Sequence, residues 1–389
     1  MKKVVLAYSG GLDTSCIIPW LKERNYETIA VIGDVGQGDD FEAIKKKAIK
    51  SGATKVYCLN VQKELIEDYA FPALKAFALY ENKYNLACAL SRPLIAQKQV
   101  EIALKENANA LCHGCTGKGN DQVRFETTFR LMVPKMEIIA PVRTWEFKTR
   151  DQEIDYAKKM GVPVSVTKKS PYSIDTNIYG RAIECGVLEN PWNEPPKDIY
   201  AMTTDPEKAP NKPEYVEIDF VKGTPKKVNG KTLSAVALIK ELNKIAGKHG
   251  VGRNDNIENR LVGIKSREIY ENPAGTVLHM AIEDLSSLVL DRGSMQSRTQ
   301  ASQQYAELTY NGLWFTPLRA QLDAYFDKMH ENTTGTVRIK LYKGHAAVVG
   351  RKSKHSRYQE TLATYGEGDT FDHNMAEGFN HLWAIPYMK

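Results

Sequence analysis

Through residues 1–165, short apolar runs alternate with stretches whose apolar positions recur every three or four residues. That texture predicts a parallel sheet covered by helices on both faces, an α/β architecture. The strand candidates are KVVLAYS, TIAVIGD, TKVYCLN, ANALCHG and MEIIAP, each short and rich in β-branched or aromatic residues. Between them, amphipathic spacing predicts helices near 13–24, 39–51, 61–79, 91–106, 119–131 and 150–160, with Gly52 as a C-terminal stop for the second. Ligands on such sheets bind at the carboxyl ends of strands, which is where the loops carrying Ser9, Gly33 and Gly114 fall.

The pattern changes after that. Proline and glycine rise in SPYSIDTNIYG (170–180) and ENPWNEPPKD (189–198), which reads as a connecting region. Beyond it, EYVEIDFVKG and PKKVNGK predict antiparallel strands with an Asn-Gly turn, and helices are expected at 232–248, 276–290, 297–310 and 317–328. A hairpin is expected from TVRIKLY to AAVVGRK, turned at Lys343-Gly344. Together these make a second, α+β domain. After Tyr365, glycines mix with Phe371, Phe379, Trp383 and Tyr387, too aromatic for a solvated tail and expected to pack on another subunit. The expected division is 1–168, 169–365 and a terminal arm, 366–389.

At 389 residues the chain has room for two or three cores, and 26% charged against 42% hydrophobic residues is the balance of a soluble globular protein. No apolar run approaches the ~20 residues that span a bilayer, and the start, MKKVVLAYSGG, leads straight into a glycine turn that a cleaved leader would remove. A cytoplasmic protein without membrane contact is expected. The net charge of +6 suits small anions and falls short of an electrostatic case for nucleic acid. Six cysteines spread along the chain predict reduced thiols. Cys112 and Cys115 have CxxC spacing but no second pair follows, so Cys112 is read as the apolar end of a buried strand.

Two segments carry candidate chemistry. In AYSGGLDTS (7–15), Gly10 and Gly11 let backbone N–H groups approach an anion, Ser9, Thr14 and Ser15 add hydroxyls, and a helix opening near Asp13 adds its unpaired N–H groups. A phosphate chain fits there. It is not a Walker A loop, since no Lys follows the glycines. The second segment, HGCTGKGNDQVRFE (113–126), combines three glycines, two amides, a carboxylate and an arginine near a helix start. Asp121 and Arg124, three apart, offer opposite charges to a zwitterion, or form a surface ion pair on a capped helix. Lys118 reaches a phosphate or is a solvated cation.

AYSGGLDTS with DVGQG (34–38), HGCTGKGND, SPYSIDTNIYGRAIECGVLE and GIKSREIYENPAGTVL together resemble the argininosuccinate synthase family, along the whole chain and in the same order. The resemblance implies a nucleotide-binding domain of the N-type ATP pyrophosphatase kind (adenine nucleotide alpha hydrolase-like), a synthetase domain and a homotetramer tied by C-terminal arms. It implies condensation of citrulline and aspartate with ATP and Mg²⁺, giving argininosuccinate, AMP and pyrophosphate. ATP contacts would fall on Ala7, Tyr8, Ser9, Gly10, Gly11, Leu12, Asp13, Thr14, Ser15, Gly33 and Gly114. Aspartate would meet Thr116, Asn120 and Asp121, with Asp121 as candidate acceptor of its amine proton. Citrulline would meet Tyr84, Asn120, Arg124, Ser173, Glu258 and Tyr270, although Tyr84 and Tyr270 read from sequence alone as core tyrosines.

Three positions depart from the family pattern. Ala89 and Ala182 stand where a serine is expected, with Ser91 or a bound water as a substitute for one hydroxyl, and Gly33 stands where an alanine is expected. Rival classes are an RNA-modifying adenylase, which would need a basic tracking surface and working cysteines, and a nucleotide-binding regulator without turnover. A glutamine-fed amidotransferase lacks any sign of an appended glutaminase.

Overall fold

A computed structural model describes residues 1–163 and 171–389. The first half holds β1 (Lys2–Ala7), β2 (Tyr26–Asp34), β3 (Lys55–Asn60), β4 (Ala110–Cys112) and β5 (Glu137–Ile139), all parallel, in the order β3-β2-β1-β4-β5. Because side chains alternate across a strand, Val4, Leu6, Ala30 and Ile32 face one layer, with Ile17, Trp20 and Ala157 of the helices Leu12–Glu23 and Arg150–Lys159. Val5, Ile29 and Val31 face the other, against Ala96, Val100, Phe125 and Phe129 of the helices Ala87–Lys105 and Asp121–Met132. Strand order reverses at β1, so the loops after β1 and β4 part above it and open a crevice. Cys112 ends β4 and is fully buried.

Two helices differ from their expected spans for local reasons. The helix expected at 91–106 starts at Ala87, because the Tyr84 hydroxyl accepts from the N–H groups of Cys88 (2.9 Å) and Ala89 (3.2 Å) and so caps the first turn. The segment expected at 61–79 is helical over 62–75 and widens to π geometry over Leu65–Ala70, just before Pro72, which has no N–H to give.

The second half carries β6 (Ser173–Thr176), β7 (Arg181–Glu184), β8 (Glu214–Val221), β9 (Thr224–Val228), β10 (Lys231–Thr232), β11 (Arg253–Asn259), β12 (Lys265–Glu271), β13 (Gly335–Tyr342) and β14 (His345–Lys352). Strands β10-β9-β8-β13-β14 form one antiparallel sheet, and Val216, Ile218, Val337 and Ile339 on it pack with Leu238 and Leu242 of the helix Ala235–Lys248 and Val277 and Ile282 of the helix Pro273–Val289. The expected hairpins are present, with Lys343 and Gly344 both at positive φ in the turn between β13 and β14. A separate sheet, β11-β12-β7-β6, corrects the reading of 170–180 as connection only: Ser173–Thr176 pairs with Arg181–Glu184. Its strands are polar because one side faces a cleft, so RNDNIEN and SIDT lack the alternation that marks a strand over a core. The boundary expected at 168–169 lies outside the described residues.

No residue of 366–389 is buried, and the helix Met375–Ala384 leaves Phe379, Leu382 and Trp383 more than 60% exposed. Among the described residues no helix is long and apolar enough to cross a membrane.

Candidate active site

The loop after β1 is held from below. Gly10 has φ +78°, and a Cβ there would lie 3.0 Å from Ile44. Lys47 Nζ donates to the Gly10 carbonyl at 2.7 Å, which fixes the turn from the helix Phe41–Lys50. Gly11 N–H donates to Ser9 Oγ (3.3 Å), and Ser9 Oγ meets Thr14 Oγ1 at 3.1 Å. The Ser15 hydroxyl donates to the Gly11 carbonyl (2.6 Å) and meets Tyr8 OH at 2.9 Å, so it is a strut within the loop.

Above this loop lies a cleft of about 680 Å³ between the parallel sheet and the β11-β12-β7-β6 sheet. Ala7, Tyr8, Ser9, Asp13 and Thr14 line it, as do Gly33 and Gly114; Gly10, Gly11, Leu12 and Ser15 do not. A Cβ on Gly114 would sit 3.0 Å from Thr14 Cγ2, so the loops after β1 and β4 meet in van der Waals contact. Thr116, Asn120, Asp121, Tyr84, Arg124, Ser173, Glu258 and Tyr270 all line the same cleft. One space therefore gathers residues from six separate stretches of chain.

Charge is divided between two poles. At one, Asp121 accepts from Arg92 Nε (2.8 Å) and Arg124 Nη1 (2.9 Å). Burial pulls this carboxyl up, but the two guanidinium groups outweigh it and hold it below the usual carboxylate value. Arg92 also reaches Asp175 at 2.5 Å. At the other pole Glu258, 3% exposed, accepts from Tyr270 OH (2.8 Å) and Tyr310 OH (2.6 Å), and burial pushes its carboxyl up. Asn120 links the poles: its amide donates to Tyr310 OH (2.7 Å) and accepts from the Leu261 N–H (2.9 Å). Arg124 Nε donates to the Tyr310 carbonyl, and Gly312, at φ +75°, passes so close that a Cβ would be 2.7 Å from Arg124 Cα.

The aromatic residues act as walls. Tyr84 and Tyr270 stack with ring centroids 4.0 Å apart, as Tyr80 and Tyr310 do at 3.6 Å. Beside Glu258, Glu184 and Glu268 share Arg260, and Glu268 is pushed up to about 8 by burial and by the neighbouring Glu184.

Arg92, Asp175, Tyr310, Arg260, Glu184 and Glu268 were not foreseen from sequence. For Arg92 a signal existed, since it sits in the apolar run ACALSRPL, where a lone cation needs a partner. Ala182 lines the cleft; Ala89 does not, and is fully buried. Ser91 is also off the cleft: its hydroxyl donates to the Cys88 carbonyl (2.8 Å) and accepts from Arg92 (3.2 Å), which removes it as a substitute for a missing serine. Lys118 does not line the cleft and is exposed. Cys88 and Cys115 do line it, with thiols pushed up by burial toward the protonated form.

Residues 3–163 match a family model described as the arginosuccinate synthase N-terminal HUP domain, and 172–389 match the arginosuccinate synthase C-terminal domain. Proteins named argininosuccinate synthase from Carboxydothermus hydrogenoformans and Caldanaerobacter subterraneus subsp. tengcongensis are each 56% identical over 99% of this chain, covering 96% and 94% of their own length. One from Bacillus pumilus is 52% identical over 99% of this chain and 95% of its own. Among solved structures, a 4-thiouridine synthetase in an RNA complex with bound ATP covers 41% of each chain at 16% identity, with a TM-score of 0.31.

Proposed function

The chain belongs to the argininosuccinate synthase family, and from that premise we propose how its cleft divides among three substrates. It is a ligase that condenses citrulline with aspartate using ATP, the activity named for relatives that match it end to end. The reading of the site is carried by one observation: an ionised Asp121 and a buried Glu258 stand on either side of Asn120, in a cleft that opens from the glycine loop.

ATP lies along the loop after β1, its outer phosphates against Ser9, Asp13 and Thr14 where the helix Leu12–Glu23 starts, with Gly33 and Gly114 flanking the nucleoside. Citrulline lies between Arg124, which takes its carboxylate, and Glu258, which takes its ammonium, with Tyr84 and Tyr270 along its side chain and Ser173 at the rim. Aspartate takes Thr116, Asn120 and Asp121. The missing serines at Ala89 and Ala182 leave these contacts in place.

With the leaving pyrophosphate clamped by the loop, the α-phosphorus faces the citrulline ureido oxygen. Attack forms the O–P bond of citrullyl-AMP and breaks the bond to pyrophosphate. Orientation of bound reactants lowers such barriers by ~7–11 kcal/mol, and no side chain has to move a proton in this step. The aspartate amine then attacks the activated carbon and AMP leaves. That amine must shed a proton. Asp121, held low by Arg92 and Arg124, is suited to gripping the ammonium and is a weak acceptor of its proton.

A magnesium ion fits this site as a companion of the nucleotide. Among the described residues no group of three or more His, Cys, Asp or Glu is placed to hold a metal, while Asp13 lines the cleft beside the phosphate loop with the Glu153 carboxyl hydrogen-bonded behind it, within the one or two carboxylates that Mg²⁺ combines with substrate phosphates. When bound, it neutralises charge on the departing pyrophosphate. The exposed apolar helix Met375–Ala384 supports a homotetramer, and six free thiols support a cytoplasmic setting. Truncation after residue 365, followed by light scattering, tests the arm; unchanged assembly rejects it.

The deciding experiment is pyrophosphate release from ATP with citrulline and aspartate omitted in turn. Release that depends on citrulline, with AMP as the nucleotide product, is expected. Release of γ-phosphate with ADP as product overturns the reading.

A further inference from the structure

The β11–β12 hairpin crosses the cleft and touches the nucleotide-binding half at its tip. There the Leu261 N–H donates to Asn120 Oδ1 at 2.9 Å, and Arg260 Nη1 lies 3.5 Å from the Lys118 carbonyl oxygen. Arg260 also ties the tip down behind: Nε donates to Ser266 Oγ (2.9 Å), and Nη2 to Glu268 (2.8 Å) and Glu184. The side chain is 14% exposed, with its charge set against the Glu184 carboxylate and its fork also donating to the Glu268 carboxyl. A planar fork with five donors can satisfy four acceptors on β7, β12 and the glycine-rich loop together; a point-charge ammonium cannot.

The contact matters because of where it ends. The Asn120 amide is oriented by two hydrogen bonds, one from the hairpin tip and one to Tyr310, and Tyr310 in turn holds Glu258. With the tip displaced, Asn120 loses the donor that fixes which way its amide points, and Glu258 loses part of its frame. We propose that Arg260 is a positioning residue that latches the β11–β12 hairpin onto the glycine-rich loop, so that the aspartate and citrulline subsites are built as one unit. The proposal rests on the assignment of Asn120 and Glu258 to those subsites.

The test is steady-state kinetics of the full-length enzyme, varying each substrate with the other two saturating, for Arg260→Gln and Arg260→Lys. Arg260→Gln is expected to raise the KM of citrulline and of aspartate together, each about tenfold, with the KM of ATP held within about twofold. Arg260→Lys keeps the cation but loses the fork, and falls between; if Arg260→Gln does not fold, Arg260→Lys decides by the same pattern. A rise for citrulline alone, an equal rise for ATP, or no rise overturns the latch. Asn120→Ala and Glu258→Gln run alongside: if both leave the amino-acid KM values unchanged, the subsite assignment falls and the latch with it. If they raise them while the Arg260 variants do nothing, only the latch falls.

Discussion

Removing the Tyr310 hydroxyl probes the link between the two poles while leaving packing intact. In Tyr310→Phe the ring keeps its stack on Tyr80, but Glu258 Oε1 loses a donor at 2.6 Å and the Asn120 amide loses an acceptor at 2.7 Å. A bond to an ionised carboxylate contributes ~1.5–3 kcal/mol and a neutral one ~0.5–1.5 kcal/mol, so the variant forfeits about 2–4.5 kcal/mol of interaction within the site. If only a third to a half of that is expressed in the citrulline complex, KM for citrulline rises roughly tenfold, at ~1.4 kcal/mol per factor of ten. The pH dependence carries the finer test. Burial already raises the Glu258 carboxyl, and Tyr310 is the first of the groups that pull it back down. Without Tyr310 it rises further, so its ionised form is reached only at higher pH. An ammonium needs the ionised form, so citrulline KM in the variant should fall as pH rises through the new value, whereas the wild type makes that change at lower pH. The assay is initial-rate pyrophosphate release from about pH 6 to 8.5. A citrulline KM unchanged at every pH, or an ATP KM raised by the same factor, refutes the reasoning.

Gly312→Ala forces a side chain onto φ +75° and to within 2.7 Å of Arg124 Cα; a loss of about 1–3 kcal/mol is expected, read as a lower thermal midpoint together with a higher citrulline KM. Gly10→Ala meets φ +78° and Ile44 at 3.0 Å, and should raise the ATP KM about tenfold while leaving citrulline binding alone, as titration with each ligand checks. Asp121→Asn leaves Arg92 and Arg124 facing a neutral amide, so aspartate KM should rise about ten- to a hundredfold. If kcat at saturating aspartate is unchanged, Asp121 binds aspartate without accepting its proton; a large fall in kcat restores the proton-acceptor role.

What the chain's sequence determined on its own was the scaffold and the glycine turn at the edge of the cleft. Val4, Val5 and Leu6, Ile29 to Ile32 and the amphipathic helices between them encode a sheet buried on both faces, since local apolar periodicity and the parallel architecture demand the same pattern. The glycine turn was legible because backbone approach to an anion requires residues without Cβ, a constraint that shows in the letters themselves. The polar sheet was not: one face of β6, β7, β11 and β12 turns to the cleft and the other covers only a small apolar cluster around Ile183 and Ile269, so little apolar alternation marks them. Nor could sequence order reveal that Arg92 and Arg124 flank one carboxylate, or that Tyr310, 52 residues from Glu258, holds it. Those choices depend on which long-range partners burial brings together. A charge taken out of water must find its complement wherever the fold has placed one, and that place is set by tertiary packing, not by spacing along the chain.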